Sequence, residues 1–416
     1  MALIVQKFGG TSVGDPEKIK NVARRVLKNK RDGNQMVVVL SAMSGETNRL
    51  TDFAMSMQDI PDSREMDVLL AAGEQVTISL FAMAMKSLGD DCISFLGDQV
   101  KILTDSSHTK ARIESIETER IMEVLNSDKV VVVAGFQGVD KNGNITTLGR
   151  GGSDTTAVAL AAVLKADACE IFTDVEGIYT ADPNICTKAR KIDRISYDEM
   201  LELASLGAKI LDIRSVTFAK QYNVPIHVRS AFTDTEGTWV VEEEKAMEGR
   251  IVSGVTYNKS EARITISGVP DQPGIATKIF TPISNAKIIV DMIIQNQDTG
   301  NGMTDMTFTV LRSDYERTLK ILDSVVESTE ATGGIHGSDT ITKISIVGVG
   351  MRNHSGIAST MFSVLANEGI NISMISTSEI KVSCIINEKY TELAVRALHD
   401  AFELDKDNMA EEETLV

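Results

Sequence analysis

Two short stretches carry residue types that chemistry could use. The first is Lys7-Phe-Gly-Gly10, which ends an apolar run near the N-terminus and continues as Thr11-Ser-Val-Gly14. Paired glycines let a backbone approach a ligand closely and aim its N–H groups at phosphate oxygens, and a lysine beside them adds a point charge. Alone, a strand end whose lysine points to solvent explains the stretch equally well. The second is Gly149-Arg-Gly-Gly-Ser-Asp-Thr-Thr156, followed by the helix-like AVALAAVLKA. A helix N-terminus preceded by glycines is an anion site, because unpaired N–H groups and the helix dipole converge there. Ordinary capping needs only one of Ser153, Asp154, Thr155 or Thr156, and none of the glycines. Arg150 adds a planar fork suited to a carboxylate.

Three further pieces have the same flavour. Ser41-Ala-Met-Ser-Gly-Glu-Thr47 follows an apolar run with hydroxyls, and Ala72-Gly-Glu-Gln75 sets a carboxylate in an otherwise apolar helix. Thr173-Asp-Val-Glu-Gly-Ile-Tyr-Thr-Ala-Asp-Pro183 is an acidic, tyrosine-bearing loop. Each is ordinary in isolation; their convergence is what points to a polyanion site. No GxxxxGK[ST] loop, HRD, DFG or GxSxG is present, which excludes the commonest phosphoryl-transfer scaffolds and the serine-hydrolase elbow. The five histidines form no triad or metal set. Gly348-Val-Gly-Met-Arg-Asn353 mimics a dinucleotide fingerprint, but asparagine stands at the third glycine position, and the stretch reads as a turn within a repeat.

These residues need a frame. Strands are expected at Leu3–Phe8, Met36–Leu40, Cys92–Leu96, Val130–Phe136, Glu170–Asp174 and Pro225–Val228. Helices are expected at Pro16–Asn29, Arg64–Leu88, Ala111–Leu125, Asp154–Lys165 and Tyr197–Gln221. Val- and Ile-rich strands without polar alternation, separated by helices, predict an α/β/α sandwich with a mostly parallel sheet. Ligands bind such sheets at the carboxyl ends of the strands, where the stretches above fall. A charged segment, Glu242–Lys245 and Glu248-Gly-Arg250, reads as a linker. Beyond it the chain repeats itself. Ile264-Thr-Ile-Ser-Gly-Val269 matches Ile344-Ser-Ile-Val-Gly-Val349, Pro273–Thr277 matches Ser355–Ser359, and Ile288–Ile293 matches Ile370–Ile375. An interval of about 80 residues is too long for a solenoid and predicts two copies of a small α+β domain.

Composition narrows the class. The chain has 416 residues, 43% of them apolar and 24% charged, as expected of a globular protein with two or three domains. A net charge of −17 argues against nucleic acid or an anionic membrane as partner, while local cations can still hold a small anion. Cys92, Cys169, Cys186 and Cys384 are scattered and read as reduced thiols. No secretory leader is evident and no apolar run looks long enough to span a bilayer, so a cytoplasmic location is expected.

Taken together, KFGGTSVGD, GRGGSDTT, TDVEGIYTADP and Gly207-Ala-Lys-Ile-Leu211, followed by two ACT-like repeats, resemble the aspartate kinases of the amino-acid kinase superfamily. The resemblance covers essentially the whole chain. It implies a catalytic domain over 1–245 and ACT domains over 261–340 and 341–404, with 250–260 able to add a strand to the latter. It implies transfer of the ATP γ-phosphate to the β-carboxylate of L-aspartate, with Mg²⁺ held by the nucleotide phosphates rather than by a protein site. By the same resemblance Lys7, with Gly9 and Gly10, would hold the transferring phosphate, and Asp154 would orient Lys7. Ser41, Thr47, Glu74 and Arg150 would bind aspartate, and Thr173, Asp174, Tyr179, Asp182, Lys209 and Ile210 would line the nucleotide site. Lysine or threonine would bind as effector at Asp271, Gly274, Ile275, Ala276, Asp291, Gln295, Asn371 and Ile372.

Two departures stand out: Asn184 replaces an arginine common after Asp-Pro, and Gly369-Ile-Asn371 replaces Asn-x-Asn. The resemblance also implies an oligomer paired through ACT domains, or one that includes a shorter regulatory subunit. A kinase of the same superfamily acting on another substrate, or a non-catalytic amino-acid-binding regulator, would share parts of this pattern. The chemistry fits the residues independently. A carboxylate with a pKa of about 4 is already a nucleophile at neutral pH, so catalysis reduces to bringing two anions together with cations and N–H donors.

Overall fold

Met36-Val-Val-Val-Leu40 and Val130-Val-Val-Val-Ala134 are buried along their whole length, which only a sheet covered on both faces allows. The computed structural model describes residues 1–206, 210–243, 251–296, 302–329 and 331–406, and places both runs inside an eight-stranded sheet. Its order is Arg194–Ser196, Thr238–Val241, Ile226–Ser230, Ala168–Thr173, Leu3–Phe8, Gln35–Leu40, Val130–Ala134, Cys92–Phe95. Every neighbouring pair is parallel except Ile226–Ser230 with Thr238–Val241. The chain steps from Leu3–Phe8 to Gln35–Leu40 on one side and reaches Ala168–Thr173 on the other. The strand order therefore reverses at Leu3–Phe8, the point where such sheets leave a crevice.

The helices close over this sheet for readable reasons. Pro16–Arg31 begins at Asp15, whose side chain accepts from the Lys18 N–H, and carries proline in its first turn. It buries Ile19, Val22, Ala23, Val26 and Leu27. Ser63–Ser87 starts on an Asp62 cap and buries Ile78, Phe81 and Met85 in the same core. Gly152–Leu164 is almost wholly buried, as a helix laid on the middle of a sheet must be.

The chain divides into two compact units. Among the described residues, the first takes Met1–Tyr179 and the stretch from Lys191 to the linker; the second takes Thr180–Arg190 and everything past the linker. The second unit holds the two repeats. Glu261–Pro270, Val290–Gln295, Met303–Leu311 and Gly334–Ser338 form an antiparallel four-stranded sheet with helices Ile275–Asn285 and Tyr315–Thr329. The second copy, Ile341–Val347, Met374–Thr377 and Lys381–Asn387 with helices Ile357–Asn367 and Thr391–Ala401, shows no fourth strand of its own among the described residues. Gly254–Asn258, which precedes the first copy, fills that place by pairing antiparallel with Ile341–Val347. The first repeat is thus an insertion within the second.

Several expectations need correction. Ala111–Leu125 is not one helix, because Ile113–Ser115 pairs with Leu103–Thr104 and only Glu119–Asn126 is helical. The carbonyl oxygens of Ala111 and Arg112, which a helix would need as its first acceptors, are instead taken by the Arg214 guanidinium and the Asp105 N–H. Tyr197–Gln221 splits into Tyr197–Ser205 and Ile213–Tyr222, the latter begun by an Asp212 side-chain cap; residues 207–209 lie outside the described residues. Helix Glu46–Met57 was not anticipated, since Leu50 is its only buried residue. Finally, Ser63–Ser87 is long and apolar enough by length and composition to cross a membrane, contrary to the reading of the sequence. One face packs in the core, and that face also carries the buried carboxylates of Asp67 and Glu74.

Candidate active site

The crevice is built from the carboxyl ends of the central strands. Lys7 sits one residue before the end of Leu3–Phe8, in register with Val39 and Ile171. Successive strand residues point to opposite faces, so Lys7 faces helix Gly152–Leu164 while Phe8 stacks on Phe172 across the sheet. The Lys7 ammonium meets the Asp154 carboxylate at 2.5 Å, and both side chains are little exposed. Gly151, at φ +68°, starts that helix with no side-chain cap. Its first turn therefore presents N–H groups and the positive end of the dipole to the cleft.

A cleft of about 400 Å³ opens here, lined by Lys7, Gly9 and Gly10, by Ser41 to Gly45, Thr47 and Asn48, by Glu74, and by Phe136 and Gly149 to Asp154. The residues of the two opening motifs thus meet in one place, with Ser41, Thr47 and Glu74 beside them. Close packing explains the glycines. A Cβ on Gly10 would stand 2.8 Å from the Ala42 carbonyl oxygen, and one on Gly73 would stand 2.8 Å from the Ala42 Cβ. Gly73 lets helix Ser63–Ser87 press against Ala42, and Glu74 Oε1 then accepts the Ala42 N–H at 3.0 Å. Burial pushes the Glu74 carboxyl up to about 7, against the lowering effect of backbone N–H groups, that of Ala42 first. Among the described residues its other oxygen is buried without a hydrogen-bond partner, so it can receive a donor from a ligand.

Thr173 and Asp174 close the adjacent strand Ala168–Thr173, and the Thr173 hydroxyl donates to Asp174 at 3.1 Å. A Cβ on Gly9 would lie 3.9 Å from the Phe172 carbonyl oxygen, so this strand end abuts the Gly9–Gly10 turn. Tyr179 follows in the short strand Ile178–Tyr179, its phenol pushed up by burial and by the Glu176 charge. Asp182 belongs to the second unit, where it accepts from the Tyr257 hydroxyl at 3.0 Å and from the Asn184 backbone at 2.9 Å. Lys209 lies outside the described residues; Ile210 is half-buried two residues before the Asp212 cap. Among the described residues no three His, Cys, Asp or Glu side chains converge as a metal would require.

Sequence reasoning missed Asn48 and Phe136 in the cleft wall. It also missed Asp212, whose side chain packs so tightly under Gly151 that a Cβ there would come within 2.2 Å. Asn48 stood one residue beyond a noted stretch. Nothing in the spacing linked Asp212 to residue 151.

In the second unit, the two repeats start their first helices alike: Gly274 at φ +93° and Gly356 at φ +95°, neither with a side-chain cap. Ile275 is buried at the first helical position, with Ala276 exposed beside it. Asp271 and Gln295 are exposed, as is Asn371, whereas Ile372 packs against the second repeat's core. Asp291 is engaged differently from expectation: it pairs with Lys343, a buried residue that also meets Glu261 at 2.5 Å.

Comparison with known proteins agrees with this geometry. The amino acid kinase family matches residues 2–230, and ACT domains match 263–327 and 344–402. An aspartate kinase of Stutzerimonas stutzeri is 58% identical over 406 residues, spanning 97% of this chain and 98% of that one. An aspartokinase of Pseudomonas aeruginosa is 58% identical over 407 residues, again spanning 97% and 98%. Among solved structures, an aspartate kinase from Synechocystis is 43% identical with a TM-score of 0.55, covering 97% of this chain and 69% of that one. E. coli aspartokinase III in complex with aspartate and ADP shares the fold, with a TM-score of 0.77 at 24% identity and coverage of 96% and 99%.

Proposed function

The chain belongs to the aspartate kinase family, and from that premise we propose how its own residues divide the work of the transfer. The enzyme moves the γ-phosphate of ATP to the β-carboxylate of L-aspartate, giving 4-phospho-L-aspartate and ADP. The observation that carries the assignment of roles is the Lys7–Asp154 pair at the mouth of an uncapped helix, with Arg150 and Glu74 lining the same cleft.

Arg150 grips the α-carboxylate of aspartate, and ionised Glu74 receives its ammonium through the oxygen that lacks a partner. Ser41 and Thr47 complete the pocket. Held at these two ends, the substrate directs its β-carboxylate at the γ-phosphorus. That oxygen forms the new P–O bond as the bond to the β-phosphate bridging oxygen breaks, and ADP leaves with the electron pair. No general base is needed, since the attacking carboxylate is ionised at neutral pH. Lys7 and the N–H groups of Gly9 and Gly10 neutralise the charge on the transferring phosphoryl oxygens, and Asp154 holds Lys7 in place. Thr173, Asp174 and Tyr179 serve the nucleotide, along with Ile210 and Lys209. Mg²⁺ is assigned to the nucleotide phosphates, where it would neutralise the β- and γ-oxygens.

For the ACT repeats we propose an amino-acid effector, lysine or threonine. Asp271 would take the ammonium, and the uncapped helix start at Gly274, Ile275 and Ala276 would take the carboxylate. Gln295, Asn371 and Ile372 would shape the remainder. E. coli aspartokinase III has been solved with lysine and aspartate in a T-state, which supports lysine as the first effector to test. By linkage, the effector inhibits only to the extent that it binds one conformation better than another. We further propose pairing of copies through the ACT repeats, or with a shorter regulatory subunit, and a cytoplasmic reaction that opens lysine, threonine and methionine synthesis. Trapping the acyl phosphate with hydroxylamine across a panel of amino acids, with and without lysine and threonine, tests these assignments. Equal turnover of glutamate would overturn the substrate assignment.

A further inference from the structure

The turn that carries Arg150 is held from two sides by residues outside the cleft wall. Arg150 itself is exposed, flanked by Gly149 at φ +77° and Gly151 at φ +68°. Two left-handed glycines make a turn that many backbone conformations could satisfy, so something else must fix where the guanidinium stands. On one side is Asp67, fully buried on helix Ser63–Ser87. Its carboxylate accepts from the Thr147 hydroxyl at 2.5 Å, from His108 Nδ1 at 2.7 Å and from the Thr109 N–H at 3.0 Å. It therefore ties the strand leading into the turn to the 108–109 loop. Gly149 lies directly against that loop, since a Cβ there would stand 2.9 Å from the Thr109 carbonyl oxygen.

On the other side is Arg214, in the first turn of helix Ile213–Tyr222. Its two terminal nitrogens donate to the carbonyl oxygens of Leu148, at 2.5 Å, and Ala111, at 3.0 Å. Leu148 is two residues before Arg150, and the Ala111 N–H donates to Thr147 at 2.9 Å. The two clamps thus grip the same two segments, 108–111 and 147–148. A fully buried carboxylate and a guanidinium directed at backbone carbonyls are costly ways to stabilise a loop far from any function.

We propose that Asp67 and Arg214 are positioning residues for aspartate, acting through Arg150 by fixing the Gly149–Gly151 turn. The inference rests on the reading of Arg150 as the grip on the substrate carboxylate. A charge-assisted, bidentate grip on a carboxylate depends on the fixed geometry of the guanidinium, so a loosened turn weakens substrate binding. Partial loosening by removing one clamp is therefore expected to raise the KM for aspartate about tenfold, with the KM for ATP and kcat changed less than about threefold.

The test is a double-mutant cycle on the full-length enzyme, read as KM for aspartate, KM for ATP, kcat and melting temperature. Arg150→Ala, Arg214→Met, Asp67→Asn and the pair Arg150→Ala/Arg214→Met are compared, with Arg214→Lys as the conservative variant. Support is a rise in aspartate KM for Arg214→Met and Asp67→Asn, partial recovery in Arg214→Lys, and no further rise when Arg214→Met is added to Arg150→Ala. If Arg150→Ala raises the aspartate KM but the clamp variants leave it unchanged, or if the effects multiply in the pair, the positioning role is wrong. An aspartate KM that Arg150→Ala does not move would instead overturn the reading of Arg150. Should Arg214→Met fail to fold, Arg214→Lys and Asp67→Asn carry the same comparison. A parallel rise in both substrates' KM values in those two would reduce the clamps to general stability.

Discussion

The Glu74 carboxyl makes a quantitative claim about pH. It is buried and accepts from the Ala42 N–H, and burial raises it from 4.5 to about 7. If the ammonium of aspartate binds only the ionised form, the apparent KM for aspartate equals its limiting value times one plus the ratio of protonated to ionised Glu74. With that group at about 7, the factor is about 11 at pH 6 and about 1.1 at pH 8, a tenfold change across two units. Aspartate's own groups are silent in this range, because its carboxyls and ammonium titrate well outside it. The measurement is initial ADP release with Mg-ATP saturating at every pH, so that titration of the γ-phosphate drops out. Glu74→Gln, of similar shape but unable to titrate, is the reference, expected to show a higher and pH-independent KM. A wild-type profile parallel to that of Glu74→Gln would refute the reasoning. The same shift has a sign in stability. Between 4.5 and 7 the folded chain keeps a proton that the unfolded chain has lost, so wild type loses stability as pH rises through this window and levels off above it. The shift corresponds to about 3 kcal/mol. Relative to Glu74→Gln, the wild-type unfolding midpoint should therefore fall between pH 5 and pH 8.

Other consequences are simpler to read. Lys7→Ala should lower kcat by about 10²–10³ with little change in aspartate KM, since it removes charge stabilisation of the transferring phosphoryl group; an unchanged kcat counts against its role. Gly151→Ala places a methyl against Asp212 at a left-handed position. It should lower the melting temperature and raise the aspartate KM together, and a variant with wild-type values would show that the turn tolerates rearrangement. Asp271→Ala should relieve inhibition by the effector amino acid while leaving basal kcat intact; persistent inhibition would move the effector site elsewhere.

The chain by itself determined which residues could meet polyanions and what kind of sheet would carry them. Lys7-Phe-Gly-Gly10 and Gly149–Thr156 are legible because phosphate and carboxylate recognition needs glycines, cations and helix starts in short, contiguous order. The unbroken valine strands are legible because a doubly covered sheet leaves no polar alternation. The two repeats show in the sequence because each copy keeps its own local pattern, and matching positions lie at a near-constant spacing. Tertiary structure decided what depends on partners distant in sequence. Only packing brings Glu74 to Ala42, Asp212 under Gly151, and Arg214 to Leu148 and Ala111 across 66 and 103 residues. Ile113–Ser115 became a strand for the same reason, the carbonyl oxygens of Ala111 and Arg112 just before it being claimed by Arg214 and Asp105. Asp291 met Lys343 rather than remaining open, and Gly254–Asn258 completed a repeat that begins some eighty residues later. Local spacing encodes what a short segment can bind. Which segments face one another, and what burial then does to a carboxyl such as Glu74, is settled only when the chain has closed on itself.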